Sequence, residues 1–215
     1  MKSMWTIAVS IALMAAGSAV AAPNTGRVNF CGELKNAFGP FDYRTRAEHS
    51  DSFDLVEGGH FTPDVENGIR GSSGAIGGDL DYTLRAIPNH HRALATMARV
   101  AVRTKTLQVA GAKYPVECYF ERATRFQPND GGVKAEYGNY LYAMGKTEGA
   151  FQMFREAAAL SPENATINYN LGLAYFQKKD YNNALLYAKK AYSLGFPLPG
   201  LKNKLAAAGK WDGKE

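Results

Sequence analysis

The sequence predicts an all-α fold: about three helical hairpins in an array with a C-terminal capping helix, preceded by an irregular segment rich in glycine and aromatics. Three observations carry this. First, AEYGNYLYAMGKTEGAFQMFREAAALSPEN, ending at Asn164, lies over INYNLGLAYFQKKDYNNALLYAKKAYSLGFP, ending at Pro197. Gly138 falls on Gly172, Leu141 on Tyr175, Ala150 on Ala184 and Ala157 on Ala191, each pair 34 residues apart. Second, Pro128 precedes Pro162 by 34 residues and Pro88 precedes Pro128 by 40, while ERATRFQPND and DYTLRAIPNH share an acidic residue, a helical run and Pro-Asn. Third, glycines and polar pairs fall where such hairpins must turn.

The chain opens as an export signal. Lys2 supplies the positive start, Thr6 to Ala16 is almost wholly apolar, and Ala19-Val20-Ala21 has the small-x-small form of a signal-peptidase site. Residues 1–21 are therefore expected to be removed, leaving a periplasmic or secreted protein that begins at Ala22. The apolar stretch is short of the roughly 20 residues a membrane span needs, and no later stretch supplies one. No cysteine follows the cleavage site directly, which argues against a lipid anchor there.

Removing Lys2 takes the formal charge from +5 to +4, and no run of five or six like charges occurs. That balance argues against a nucleic-acid footprint and is compatible with an acidic partner. Two cysteines remain, Cys31 and Cys118. An oxidising compartment favours their disulfide over two buried thiols.

Residues 22–78 differ in composition from the rest. Gly39-Pro40, Gly58-Gly59 and GSSGAIGG are places where helices are not expected to persist. Short helices are expected at Gly32 to Ala37 and at Pro63 to Arg70, the second with Thr62 as N-cap, Pro63 at the first helical position and Gly71 as the stop. The aromatics Phe38, Phe41, Tyr43, Phe53, Phe61 and Tyr82 make the segment too apolar for a free linker, so it should fold back on the array. Residues 79–215 form the repeat domain. Asp79 to Leu84 read as the closing helix of a degenerate early unit, and the repeats span 88–130, 131–164 and 165–197. The first carries six extra residues in TKTLQVAGAKYP, 104 to 115. In PLPGLKNKLAAAG, Leu198, Leu201 and Leu205 share one side of a capping helix.

The 34-residue period and its small residues resemble the tetratricopeptide repeat, whose pattern is W-x2-L-G-x2-Y…A-x3-F…P. Two helices approach closely only where side chains are small, at Gly138/Gly172 and Ala150/Ala184. Tyr137, Leu171, Tyr175 and Phe154 fill the remaining space. The last repeat departs from the pattern: Ala188 replaces the aromatic, and Pro197 is displaced by one residue. Gly145-Lys146 and Lys179-Asp180 turn the hairpins. The repeat resemblance covers roughly half of the chain, and residues 22–78 with the downstream histidines resemble small exported bacterial proteins that contain these repeats, which implies no activity.

The resemblance implies a non-catalytic scaffold or adaptor that grips an extended peptide or protein segment in the groove lined by successive first helices. The positions that match the groove are Arg92, Ala95, Arg99, Val102 and Arg103; then Ala135, Asn139 and Tyr142; then Tyr169, Asn170, Leu173 and Phe176. Asn139 and Asn170 stand where peptide-binding members hold two asparagines, whose amides donate and accept. Members that clamp a C-terminal carboxylate hold a lysine where this chain has Ala135. The three arginines share one helix face and suit an acidic partner or a solvated surface alike. Tyr142, Tyr169 and Phe176 suit a ligand or a neighbouring helix. Self-association is a further open use of such a surface.

An alternative is an envelope enzyme or metal-binding protein using His60, His90 and His91, with the array as docking platform. Adjacent histidines on one helix diverge by about 100 degrees, so His90 and His91 serve a single pocket poorly. Their alignment with Asp130-Gly131 instead puts them at a helix entrance. No G-x-S-x-G elbow occurs, Cys118 sits on a buried helix face, and GAIGGD lacks the G-K-[ST] of a phosphate loop. No cofactor is expected. A third reading has residues 22–78 occupying the groove and regulating access to it.

Overall fold

In the computed structural model, described over residues 30–211 and 213, the chain is helical and contains no strand among the described residues. Three matching hairpins make up the second half. They are α4 (His91–Thr104) with α5 (Val116–Phe126), α6 (Gly131–Ala143) with α7 (Thr147–Leu160), and α8 (Ala165–Gln177) with α9 (Tyr181–Ser193). The capping helix α10 (Gly200–Ala207) closes the array. Upstream lie α1 (Ser50–His60), the single turn α2 (Pro63–Glu66) and α3 (Ile76–Ala86). The predicted export signal lies outside the described residues.

Each first helix starts on a side chain that accepts a backbone N–H left without a partner in the first turn. His90 accepts from Ala93, Asp130 from Gly132 and Val133, and Asn164 from Ile167. Asn89-His90-His91 thus stands as Asn129-Asp130-Gly131 does. Helix ends use left-handed residues, at Gly145 (φ +75°) and Lys179 (φ +60°) where the sequence places the turns.

Gly138 and Gly172 are buried contact points. A Cβ at Gly138 would lie 2.6 Å from the Phe154 ring, and one at Gly172 would lie 2.6 Å from Leu201 of the cap. Ala150 and Ala184 are buried opposite them. Leu201 and Leu205 are fully buried in the cap, but Leu198 is 61% exposed. Leu198 lies ahead of the first turn of α10, so the helical periodicity that aligned it with the other two does not reach it.

The N-terminal half departs from its expected irregularity. Gly32 to Ala37 is an extended strap without helix, whereas α1 runs through Gly58-Gly59 to His60 and α3 begins inside GSSGAIGG. Two interior glycines cost a helix about 1 kcal/mol each against alanine. Burial of Phe53 and Val56, both at most 1% exposed, offsets that cost. A boundary after residue 78 would cut α3. Phe61, Val65, Leu80 and Leu84 pack in one cluster with Leu94, Met97, Phe120 and Tyr140, so the first half continues the core of the array. The extra residues of the first repeat contribute Val109 and Ala112 to that cluster.

Cys31 and Cys118 form the disulfide, closing a loop of 87 residues. The same helix holds the strap by its carbonyls. Fully buried Arg122 donates to those of Cys31 (3.2 Å) and Glu33 (2.7 Å), and Arg125 donates to that of Gly32 (2.8 Å). Cross-linking a loop of this size removes unfolded-state entropy worth about 4–5 kcal/mol. The Cys31→Ser/Cys118→Ser protein should lose stability on that scale in urea unfolding, with helix content retained in the absence of denaturant; an unchanged midpoint would show that the strap contributes nothing.

Candidate functional site

Helices α4, α6 and α8 face one side of the array and leave two adjoining depressions. The wider, about 370 Å³, lies between α4 and α6 and is lined by Ala95, Ala98, Val102, Tyr140 and Ala143, with Glu136 and Arg99 among its polar groups. The narrower, about 80 Å³, lies between α6 and α8 against Tyr142, Phe154, Leu173 and Ala174. Asn139 belongs to both.

At their boundary the asparagines form a chain of hydrogen bonds. Asn170 Nδ2 donates to Asn139 Oδ1 (3.2 Å), and Asn139 Nδ2 donates to Glu136 Oε2 (3.1 Å). The 31-residue offset between the asparagines places both on first helices at matching height. Each amide keeps a second N–H, and Asn170 keeps its carbonyl oxygen, so a donor and an acceptor alternate along the ridge. Gln177 donates to the hydroxyl of Tyr142, which is 46% exposed. Asn139, Asn170, Tyr142 and Leu173 are thus brought together as the sequence implies.

Arg99 and Arg103 line the wider depression but donate away from it, and Arg92, Tyr169 and Phe176 are engaged elsewhere. Arg92 pairs with the Glu66 carboxylate. Arg99 donates to the Glu66 carbonyl (2.6 Å), and Arg103 donates to the Gly68 carbonyl. Arg99 and Arg103 thus meet carbonyls at the end of α2 that lack helical partners, while Arg92 meets the carboxylate beside them. Tyr169 stacks on Phe196 with ring centroids 4.0 Å apart, and Phe176 meets Tyr181 edge-on at 5.5 Å. Both pack with the cluster around Leu201 and Leu205 beneath the cap. Glu136 was missed by position matching because it falls one residue past the expected site at Ala135. Residues 61–68 do not enter the groove as a plug, since Phe61 and Val65 belong to the main core.

The histidines separate onto three carboxylates. His60 Nδ1 meets Asp79 (2.9 Å), His90 Nε2 meets Glu57 (3.0 Å) and His91 Nε2 meets Asp130 (2.8 Å). Among the described residues no three histidine, cysteine or acidic side chains converge at metal-binding spacing. His90 is fully buried, and its Nδ1 accepts the Ala93 N–H, which fixes the neutral tautomer with Nε2–H donating to Glu57. Asn89 donates to both Asp42 (2.7 Å) and Asp130 (2.8 Å), tying the segment ahead of α1 to the entrances of two repeats.

These contacts shift ionisation in one direction. Burial holds His90 below the ordinary histidine range despite its hydrogen bond to Glu57. Burial alone would raise Glu57, but hydrogen bonds from His90 and Arg46 bring it down to about 2. Arg46 is the full charge facing Glu57, because the neutral tautomer of His90 supplies only a hydrogen bond. A hydrogen bond from Arg44 opposes burial at Asp42 and, with Asn89, holds it at about 2. Asp130 is also lowered, its burial outweighed by the hydrogen bond and charge of His91, with further bonds from Asn89 and the Val133 amide.

TPR-repeat models match residues 138–179, described as TPR repeat, and 165–194, described as tetratricopeptide repeat. The hairpins α6–α7 and α8–α9 are tetratricopeptide repeats. A structure described as the functional characterization of Pseudomonas aeruginosa PilF is 23% identical, covering 77% of this chain and 72% of that one with a TM-score of 0.52, and shares its fold. MamA structures from strains AMB-1 and MSR-1 are 19% and 15% identical, cover 72% and 70% of this chain and 86% and 88% of theirs, and have TM-scores of 0.42 and 0.41. No curated protein matches the chain.

Because Asp42, Glu57 and Asp130 have lowered native pKa values, the stability they contribute is complete above the unfolded carboxylate range near 4 and is lost as pH falls toward 2. His90 acts in the same sense at higher pH. Its unfolded form takes up a proton below about 6.5 before the native form does. Urea midpoints should therefore hold steady from pH 8 to 7, fall between 6.5 and 5, and fall again below 4. His90→Asn, which keeps a capping acceptor without titrating, should flatten the upper step alone; a slope unchanged in that variant would move the upper step to another group.

Proposed function

We propose that this tetratricopeptide-repeat protein works in the cell envelope as a scaffold or adaptor, holding an extended segment of a protein partner on its concave face without transforming it. One observation carries the reading. The hydrogen-bonded ridge of Asn139 and Asn170 crosses between two open depressions and alternates donor and acceptor groups as an extended backbone does. The apolar walls on either side, Ala95 and Val102 in one and Leu173 and Ala174 in the other, suit the side chains that flank such a backbone. A repeat array is suited to this task because stacking identical hairpins produces a curved surface whose matching positions recur at regular spacing.

Tetratricopeptide repeats bind protein partners, and the described residues contain no helix long and apolar enough to cross a membrane. Of the three arginines that suggest an acidic partner, Arg92 is paired with Glu66, whereas Arg99 and Arg103 meet backbone carbonyls and keep their charge beside the wider depression.

Asn139→Ala and Asn170→Ala each remove one end of the ridge from a half-buried position. Each should weaken capture of an envelope partner, crosslinked in intact cells through a photoreactive residue at Tyr142, while leaving the thermal midpoint within a few degrees. An adduct indifferent to both substitutions would move the binding surface off this face. The export reading is checked separately by N-terminal sequencing of the protein from a periplasmic fraction. A mature start at Ala22 is expected, and a retained Met1 would overturn it.

A further inference from the structure

Two cations of the groove are held without being neutralised. Arg99 and Arg103 line the wider depression one helical turn apart on α4. Arg99 Nη2 donates to the Glu66 carbonyl (2.6 Å) and the Thr96 hydroxyl (3.0 Å), and Arg103 Nη2 donates to the Gly68 carbonyl. A carbonyl fixes a guanidinium in place but carries no net charge to cancel it. Arg92 on the same helix shows the contrast, since it pairs with the Glu66 carboxylate. Neither Arg99 nor Arg103 meets a carboxylate at ion-pair distance among the described residues, and Nε and Nη1 of both have no hydrogen-bond partner there.

The one acid of the depression lies toward its opposite end. His91 sits against Gly132, so α4 and α6 run side by side from their starts. About three turns on, Arg103 and Ala143 come level, and both line the depression. Glu136 stands only one turn past Gly132, about 10 Å short of Ala143 along α6. Burial pushes its carboxyl up from the ordinary range, against the hydrogen bond from Asn139 (3.1 Å) and the fields of His91 and Arg99. Two cations therefore outweigh one carboxylate, and the excess gathers at the end marked by Arg103. An acidic side chain is complementary to that end, because its two oxygens can accept from both guanidinium groups. Since carbonyls already anchor the arginines, binding costs them little further freedom. A lysine or arginine placed there would meet two like charges.

We propose that this end of the α4–α6 depression is a subsite for an aspartate or glutamate side chain of the bound segment, its carboxylate received by Arg99 and Arg103 while Asn139 and Asn170 hold the neighbouring backbone. This rests on the groove reading above and adds to it the charge of the ligand and the place where that charge is read. The stem of the acidic side chain lies on Val102 and Ala143, which leave an apolar floor beneath the guanidinium groups. The carboxylate belongs to a side chain, so the segment needs no free terminus at the site. Arg92 takes no part, because Glu66 already satisfies it.

The test uses three pools of acetylated and amidated ten-residue peptides, drawn from alanine, leucine, serine, threonine and asparagine, with glutamate, glutamine or lysine fixed at the fifth position. Binding to the protein is read from the side-chain amide signals of Asn139 and Asn170 in nitrogen-15 spectra. The glutamate pool should bind about fivefold more tightly than the glutamine pool, a difference of about 1 kcal/mol, with the lysine pool weakest. Arg99→Gln and Arg103→Gln should each reduce the ratio of glutamate to glutamine affinity, and the double substitution should bring it to one. Pools that move the asparagine signals with equal affinity, or a preference for lysine, would overturn the subsite and leave the groove standing. A glutamate preference that survives the double substitution would do the same. If no pool moves either asparagine, the groove reading falls and the subsite with it.

Discussion

The close approach of paired helices at small residues is the constraint on which the array depends. Where Gly138 faces Phe154 there is no room for even one more methyl group, and Gly172 meets Leu201 of the cap in the same way. Such contacts fix the angle and spacing within a repeat, because bulk at these points would force the helices apart. Once the spacing is fixed, successive first helices are carried to matching heights. Asn139 and Asn170 then come within hydrogen-bonding distance although they belong to different hairpins. The polar ridge of the concave face is thus a by-product of glycine and alanine on the packing faces.

A second kind of order governs the first half, where polar groups do what small residues do later. Asn89 bridges Asp42, ahead of α1, and Asp130 at the entrance to α6, and His90 joins the start of α4 to Glu57 of α1. Buried polar links of this sort are costly unless every member is matched, and when matched they specify one arrangement. The disulfide and the two arginines of α5 fix the strap. The glycine-rich segment is held at both ends, and its own helices complete the core that Leu94 and Met97 begin. It is structural in the same sense as the repeats, although it has none of their periodicity.

The repeats were legible because their constraints are local and recur. A 34-residue period, turn residues at Gly145 and Lys179, and capping side chains at Asp130 and Asn164 each leave a mark in the sequence. Helix α1 left no such mark. Its inward face is Phe53, Val56, Glu57 and His60, half of it polar, and its amphipathic pattern becomes visible only once Arg46 and His90 are known to meet Glu57. The glycine pair then reads as a break when it is a tolerated cost. The groove was legible in the same uneven way. Asn139 and Asn170 follow from the resemblance to peptide-binding repeats, whereas the engagement of Arg99 and Arg103 depends on residues 66 and 68, which lie 33 and 35 residues upstream and outside any repeat. Tyr169 and Phe176 were open to either role, and the cap decided between them.

The two depressions on the concave face differ for a reason that the repeats themselves supply. Between α6 and α8, Phe154 fills the space under Gly138 and Leu173 stands at the wall, so only about 80 Å³ stays open. Between α4 and α6 the corresponding lining is alanine at 95, 98 and 143, and about 370 Å³ stays open. An array of identical repeats would offer identical sites and leave a bound segment free to slide by one unit. Here unequal side-chain volume makes the sites distinct. The sheltered carboxylate of Glu136 falls beside the wide one, and the Asn139–Asn170 ridge lies between it and the narrow one. On the proposed reading, a segment that lays its backbone along the ridge would match these unequal volumes in only one register. Specificity of this kind comes from departures from the repeat rather than from the repeat itself.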